Sequence, residues 1–173
     1  MKIILEEYSK KWEKEFFFLK KKLRQKLSIK KDNIKVDHIG STSVEGLTSK
    51  PIIDILIGVP QNNLDNYIKP ITELGFVYAK EYEDELPNRR FFFKNEKNKR
   101  IAHIHLVESS SFWYKRHITF RNELRNNSKT KIEYEKFKMS LAKKEWINGD
   151  EYSNAKTNFI RSVEKKLKLK KIS

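Results

Sequence analysis

Val36-Asp37-His38-Ile39-Gly40-Ser41-Thr42-Ser43-Val44-Glu45-Gly46-Leu47-Thr48-Ser49-Lys50-Pro51-Ile52-Ile53-Asp54-Ile55-Leu56-Ile57-Gly58-Val59 reads as strand, polar turn, short helix, loop and second strand. One carboxylate, Asp54, sits inside its greasiest segment. An unpaired carboxylate buried in an apolar strand costs several kcal/mol, so Asp54 must be neutralised, hydrogen-bonded, or aimed out of the sheet at a cation or ligand. At the end of the first strand, Gly40-Ser41 lets the backbone approach a neighbour closely, and Ser41, Thr42 and Ser43 are residues that cap a following helix. Such a helix start is suited to phosphate.

The runs His38-Ile39-Gly40-Ser41-Thr42-Ser43-Val44, Gly46-Leu47 and Lys50-Pro51-Ile52-Ile53-Asp54-Ile55 together resemble the signature of the GrpB family, whose members have a nucleotidyltransferase-like fold. Further pieces agree in order: His103-Ile104-His105-Leu106, Phe120-Arg121-Asn122-Glu123-Leu124-Arg125, Tyr134-Glu135-Lys136-Phe137-Lys138 and Tyr152-Ser153-Asn154-Ala155-Lys156. The resemblance spans nearly the whole chain. It departs where Glu45 replaces the usual proline of the turn and Thr48-Ser49 replaces small apolar residues. It implies an α/β (α+β) fold: one domain over residues 1–173, a nucleotidyltransferase-like mixed β-sheet covered by an N-terminal helix and a C-terminal helical set. It also implies a pocket beside Gly40-Ser41, in which a triphosphate cradle is paired with a metal ligand, Asp54. The family's motifs do not themselves establish a reaction.

A chain of 173 residues is long enough for one domain with a real core. It has no cysteine, which removes disulfides, thiolate zinc sites and a cysteine nucleophile, and leaves oxygen and imidazole ligands. Magnesium is the metal that such ligands suit best. The N-terminal apolar run is too short for a signal peptide, and no segment approaches the roughly 18 apolar residues of a membrane span, so a cytoplasmic protein with no membrane partner is expected. The net charge of +15 divides into +7 over residues 1–31, −2 over 32–111 and +10 over 112–173. The basic charge therefore belongs to the flanking segments. It reads either as solvated, lysine-rich helix faces or as a field drawing in a phosphate-rich partner, nucleic acid included.

Apolar residues at Trp12, Phe16, Leu19, Leu23 and Leu27 predict an amphipathic cover helix from Ser9 to about Leu27, its stripe widened by Phe17 and Phe18. Asp32-Asn33 turns the chain into a strand, Ile34 to Ile39. Pro60 and two asparagines close the second strand, and a helix from Leu64 to Leu74 ends at Gly75. Phe76-Val77-Tyr78 begins another strand. Residues 80–89 form an acidic loop of the kind that serves as a lid or specificity element. Arg90–Lys94 and Ile101–Val107 read as an antiparallel hairpin. Three helices follow, over Phe112–Arg125, Lys131–Trp146 and Glu151–Leu169. Strict alternation points His103 and His105 to one face. As a pair they are able to hydrogen-bond within the sheet, bind metal, bind phosphate when protonated, or relay a proton.

Candidate catalytic residues are thus Asp54, His103 and His105, with Asp54 the metal ligand. Candidate substrate-binding residues are His38, Gly40, Ser41, Thr42, Lys50, Arg90 and Arg121; His38 reads equally as a core histidine. Three functions compete. In the first, a metal-dependent nucleotidyltransferase, Lys50, Arg90 or Arg121 stabilises developing charge on a nucleoside triphosphate. The second is a nucleotide or phosphometabolite binding protein without transfer activity, favoured because Leu56 stands where active members of the superfamily place a second acid, and one carboxylate holds two magnesium ions poorly. The third is a nucleic-acid binding protein working through the basic helices.

Overall fold

A computed structural model describes residues 1–27, 33–60 and 64–169. Asp32, Asn62, Asn63 and the last lysines of the tail lie outside the described residues. Helix α1 spans Lys10–Leu27, and its stripe Trp12, Phe16, Leu23 and Leu27 is buried. Phe17 and Phe18 do not widen that stripe; they are 55% and 59% exposed, because at helical spacing they turn away from the face that carries Trp12, Phe16 and Leu23.

Five strands form one mixed sheet: β1 Lys35–Ile39, β2 Ile53–Val59, β3 Val77–Tyr78, β4 Arg89–Glu96 and β5 Lys99–Glu108, in the order β1-β2-β5-β4-β3. The central β2–β5 pair is parallel and the others antiparallel. A parallel pair needs a crossover, and here α2 (Ile68–Thr72), β3 and β4 provide it. The helix expected over Leu64–Leu74 is broken into a 3₁₀ turn, Leu64–Tyr67, and the short α2. Pro70 lies inside that segment and has no backbone donor for a longer helix. The β4–β5 hairpin closes through Lys97 and Asn98, both at positive φ (47° and 61°), as a two-residue turn matched to sheet twist requires.

The remaining helices are α3 Phe112–Asn126, α4 Ser128–Ala142, α5 Gly149–Ala155 and α6 Thr157–Lys166. Helix α4 starts before its apolar period because the Asn127 side chain accepts a hydrogen bond from Thr130 N and caps it there. The single last helix expected from Glu151 is two, parted at Lys156. Among the described residues no helix is long and apolar enough to cross a membrane.

Alternation along the strands gives the sheet two unlike faces. One carries Val36, Ile53, Ile55, Ile57, Phe92, Ile104 and Leu106, which bury against α1 and α2 as the main core. On the other, the apolar set is small, Ile39, Leu56, Val107 and Tyr114 of α3. Separate clusters, one around Leu47, Leu124 and Tyr134 and one around Ile3, Leu141 and Tyr152, hold the C-terminal helices in place. The sheet surface they leave between them is polar.

Candidate functional site

That surface floors a cavity of about 440 Å³ between the sheet and the C-terminal helices. Asp54 of β2 and His103 of β5 are register partners on this face, and Asp54 Oδ1 accepts a hydrogen bond from His103 Nδ1 at 3.0 Å. Arg100 Nη1 lies 3.4 Å from His103 Nε2. Arginine only donates, so Nε2 carries the lone pair and Nδ1 the proton. By the same reasoning His105 Nδ1 accepts from Arg89 Nη1 at 3.1 Å, leaving His105 neutral with its proton on Nε2. Burial, then the Arg89 charge, holds His105 well below the ordinary imidazole value. Burial opposes the Asp54 carboxylate, but the hydrogen bond from His103 and the Lys156 ammonium prevail and lower its pKa.

Gly40 brings the first turn against this carboxylate. Its backbone has φ 68° and ψ −176°, and a Cβ there would lie 2.3 Å from Asp54 Oδ2. The turn itself is a single 3₁₀ stretch, Ser41–Ser43, rather than the start of a regular helix. Ser41 lines the cavity and its side chain bonds to the Tyr134 hydroxyl.

Three lysines converge opposite. Lys50 lines the cavity from the loop before β2, and burial lowers its pKa. Lys138 of α4 is only 1% exposed and donates to the Thr48 carbonyl. Burial, then the Lys156 ammonium, brings Lys138 down to about 7. Lys156, at the α5–α6 break, sits with its Nζ 4.5 Å above the Tyr152 ring. Burial and then Lys50 bring it down to about 8, against the opposing pull of Asp54. The Tyr152 hydroxyl is buried with no hydrogen-bond partner. From the acidic loop, Tyr82 Oη donates to Asp150 Oδ2 of α5 at 2.8 Å, joining two walls of the cavity.

The structure therefore gathers Gly40, Ser41, Lys50, Asp54, His103, His105 and Arg121 around one space. It takes three expected residues elsewhere. His38 stands on the core face, 6% exposed and stacked on Phe16 at 4.6 Å, where its Nε2 is 3.0 Å from Thr42 Oγ1. Thr42 donates in turn to the Ile52 carbonyl, and both residues line a different cavity, on the α1 side of the sheet. Arg90 is on the far face too, bound to Asp65 at 2.6 Å and Glu83 at 3.2 Å. The cavity arginine is its neighbour Arg89, which alternation from Phe91 and His105 indicates. Arg121 lines the cavity, but its Nη1 already donates to Asp37 Oδ1 (3.2 Å) and to the His38 carbonyl (3.0 Å). Asp37 also accepts from Tyr114 Oη at 2.5 Å, a tie between β1 and α3 with no signature in the sequence.

A resident magnesium ion fits this donor set poorly. Asp54 is one carboxylate, engaged by an imidazole and faced by lysines, whereas Mg²⁺ seeks an oxygen octahedron. Among the described residues no three acidic or imidazole side chains group so as to hold a metal. The chemistry offered is instead that of a polyanion site around a carboxylate–imidazole pair.

The family model described as GrpB protein matches residues 2–166 of this chain. The UPF0157 protein BH1888 of Halalkalibacterium halodurans is 31% identical over 165 residues, covering 95% of this chain and 82% of that protein. The UPF0157 protein YqkA of Bacillus subtilis is 32% identical over 162 residues; the match covers 93% of this chain but only 46% of that protein. Among solved structures, the conserved protein GrpB from Enterococcus faecalis superposes with a TM-score of 0.79 at 33% identity, covering 94% of this chain and 96% of that one.

Proposed function

The chain belongs to the GrpB family, and for the cavity just described we propose that it binds a phosphate-bearing small molecule and handles a proton on it. The observation that carries this reading is the convergence of Lys50, Lys138 and Lys156, with no carboxylate in salt-bridge contact with any of them among the described residues, on the Asp54–His103 pair. Ammonium groups crowded and drawn out of water are relieved by a polyanion. The buried, unpartnered Tyr152 hydroxyl adds a donor beside them. His103 Nε2 carries the lone pair of the couple: a ligand hydroxyl that displaces the long 3.4 Å contact from Arg100 gives its proton there, and Asp54, on Nδ1, stabilises the imidazolium formed.

Nucleotidyl transfer is the second reading, favoured by Gly40, Ser41 and Asp54 lining the same cavity. In it, magnesium arrives as the counter-ion of the nucleotide.

Calorimetric titration with tripolyphosphate and with ATP, each with and without magnesium, tests both. Saturable binding without metal that is lost in Lys156→Gln supports the first reading. Binding of ATP alone, and only with magnesium, supports the second. The absence of any saturable binding rejects both, and salt-sensitive binding of duplex RNA alone transfers the basic charge to a nucleic-acid role.

A further inference from the structure

We infer that the cavity holds a second anion site at Arg89, separate from the lysines, and that its ligand is a small phosphorylated carboxylic acid. This rests on the phosphate reading proposed above and names the other end of the molecule.

Two adjacent arginines on β4 are treated in opposite ways. Arg90, on the core face, has Asp65, Glu83 and the Pro87 carbonyl as partners. Arg89, in the cavity, has no salt bridge among the described residues; its Nη1 meets a neutral imidazole nitrogen, and its Nε is buried without a partner. A guanidinium keeps its charge at any physiological pH, and the nearby carboxylates, Glu85 and Asp150, act on Arg89 from a distance without a salt bridge to it, so direct contact with an anion is still open to it.

The surroundings select the shape of that anion. The rings of Phe91, Tyr82 and Trp113 lie 5.2, 5.9 and 5.9 Å from the guanidinium carbon. With rings on the faces of the group and Nε itself buried, the Nη1–Nη2 edge is the one left for a ligand, which takes the place of His105 on Nη1. A planar carboxylate meets such an edge with two parallel bonds, which a lysine cannot imitate.

The strand register sets the two anion sites apart. Lys50 precedes the first residue of β2, while Arg89 pairs with Val107, four residues along β5 from His103. His105 stands between, with ring centroids 6.5 Å from His103 and Arg89 in contact beyond it. A ligand with phosphate at the lysines and carboxylate at Arg89 lays its middle atoms, and any hydroxyl on them, over the Asp54–His103 pair.

Calorimetry on the intact protein with three matched pairs decides the matter: glycerol 3-phosphate with 3-phosphoglycerate, erythritol 4-phosphate with 4-phosphoerythronate, and sorbitol 6-phosphate with 6-phosphogluconate. At least one acid should bind about tenfold or more tightly than its alcohol, as a charge-assisted bidentate contact implies. Arg89→Gln should collapse that ratio by lowering the acid's affinity well beyond any loss the alcohol shares through the missing charge, and Arg89→Lys should recover little of it. Lys156→Gln should weaken both members of a pair alike. Circular dichroism confirms that each variant is folded. Ratios near one for all three pairs in the wild type, or a ratio surviving both Arg89 substitutions, overturn the inference and leave the phosphate reading standing. If neither member of any pair binds in a Lys156-dependent way, the phosphate reading falls and this inference with it.

Discussion

Asp54 accepts the Nδ1 proton of His103 across the parallel β2–β5 register at 3.0 Å, which makes the carboxylate the orienting partner of an imidazole. Asp54→Asn keeps the volume and one acceptor oxygen, so the fold should persist. It also removes a negative charge from among Lys50 and Lys156. Metal-free affinity for tripolyphosphate should therefore rise roughly five- to tenfold, the ~1 kcal/mol expected of charges several ångströms apart in a partly wet site. If Asp54 is instead a magnesium ligand, the same variant loses magnesium-dependent binding and gains nothing in EDTA. Titrating wild type and variant in both conditions separates the two.

Gly40 is the second support of that carboxylate. Its φ of 68° with ψ near 180° is a region that only glycine enters readily, and an added Cβ would fall 2.3 Å from Asp54 Oδ2. Gly40→Ala should cost about 1–3 kcal/mol of stability from backbone strain alone. Phosphate affinity should fall further than the loss of Ser41 alone explains, because the carboxylate must move. Comparing urea midpoints and tripolyphosphate affinity of Gly40→Ala with those of Ser41→Ala checks this; equal, small effects from both would place the ligand elsewhere.

Much of this was legible in the chain because two periodicities are strong. Apolar spacing of Trp12, Phe16, Leu23 and Leu27 marks the cover helix, and alternation through Ile101–Val107 puts His103 and His105 on one face, where they are found. The Gly40-Ser41 turn and Asp54 also belong to the cavity, as their residue types suggested. Lys138 and Lys156 were harder, since in a lysine-rich chain a helical lysine reads as solvated until tertiary packing closes over it. Arg90 was misplaced by one residue because the hairpin begins at Arg89, and in a strand one residue decides the face. His38 also reads as a pocket group by its motif, while its position in the β1 alternation sends it to the core.

The buried imidazoles predict acid lability. Burial pushes His38 down to about 4 and His117 down to about 3 from their ordinary 6.5. Their neutral forms favour the folded state, so their contribution is complete above pH 6.5 and declines as pH falls toward those values, where the unfolded chain binds more protons. At about 1.4 kcal/mol per pH unit, His38 alone accounts for on the order of 3 kcal/mol. Urea unfolding from pH 7 to pH 4 should show stability falling steadily, and His38→Gln should flatten the slope. An identical slope in that variant would mean that His38 does not titrate in this range.

The lysines predict the opposite side of the pH scale. In the free protein Lys138 and Lys156 are held near 7 and 8, so Lys138 is already about half deprotonated at pH 7 and both complete their deprotonation by about pH 9.5. A phosphate dianion favours their charged forms, so binding takes up protons, and affinity must fall as pH rises through this window. Sorbitol 6-phosphate is a suitable probe because the second ionisation of a phosphate monoester, near pH 6, is complete before the window opens. Its affinity should drop by up to about tenfold per pH unit for each proton taken up above the free-state value. Heats measured at pH 8 in buffers of different ionisation enthalpy should report that uptake directly. Lys138→Met should remove the larger share of it at pH 8 and nearly all of it at pH 7, and Lys156→Gln should remove a smaller share that grows from pH 7 to pH 8. Below pH 7 the histidines should add little, because His105 remains neutral under the combined effect of burial and Arg89. An affinity that stays level from pH 7 to 9.5, with heats independent of buffer, would show that neither lysine meets the ligand's charge.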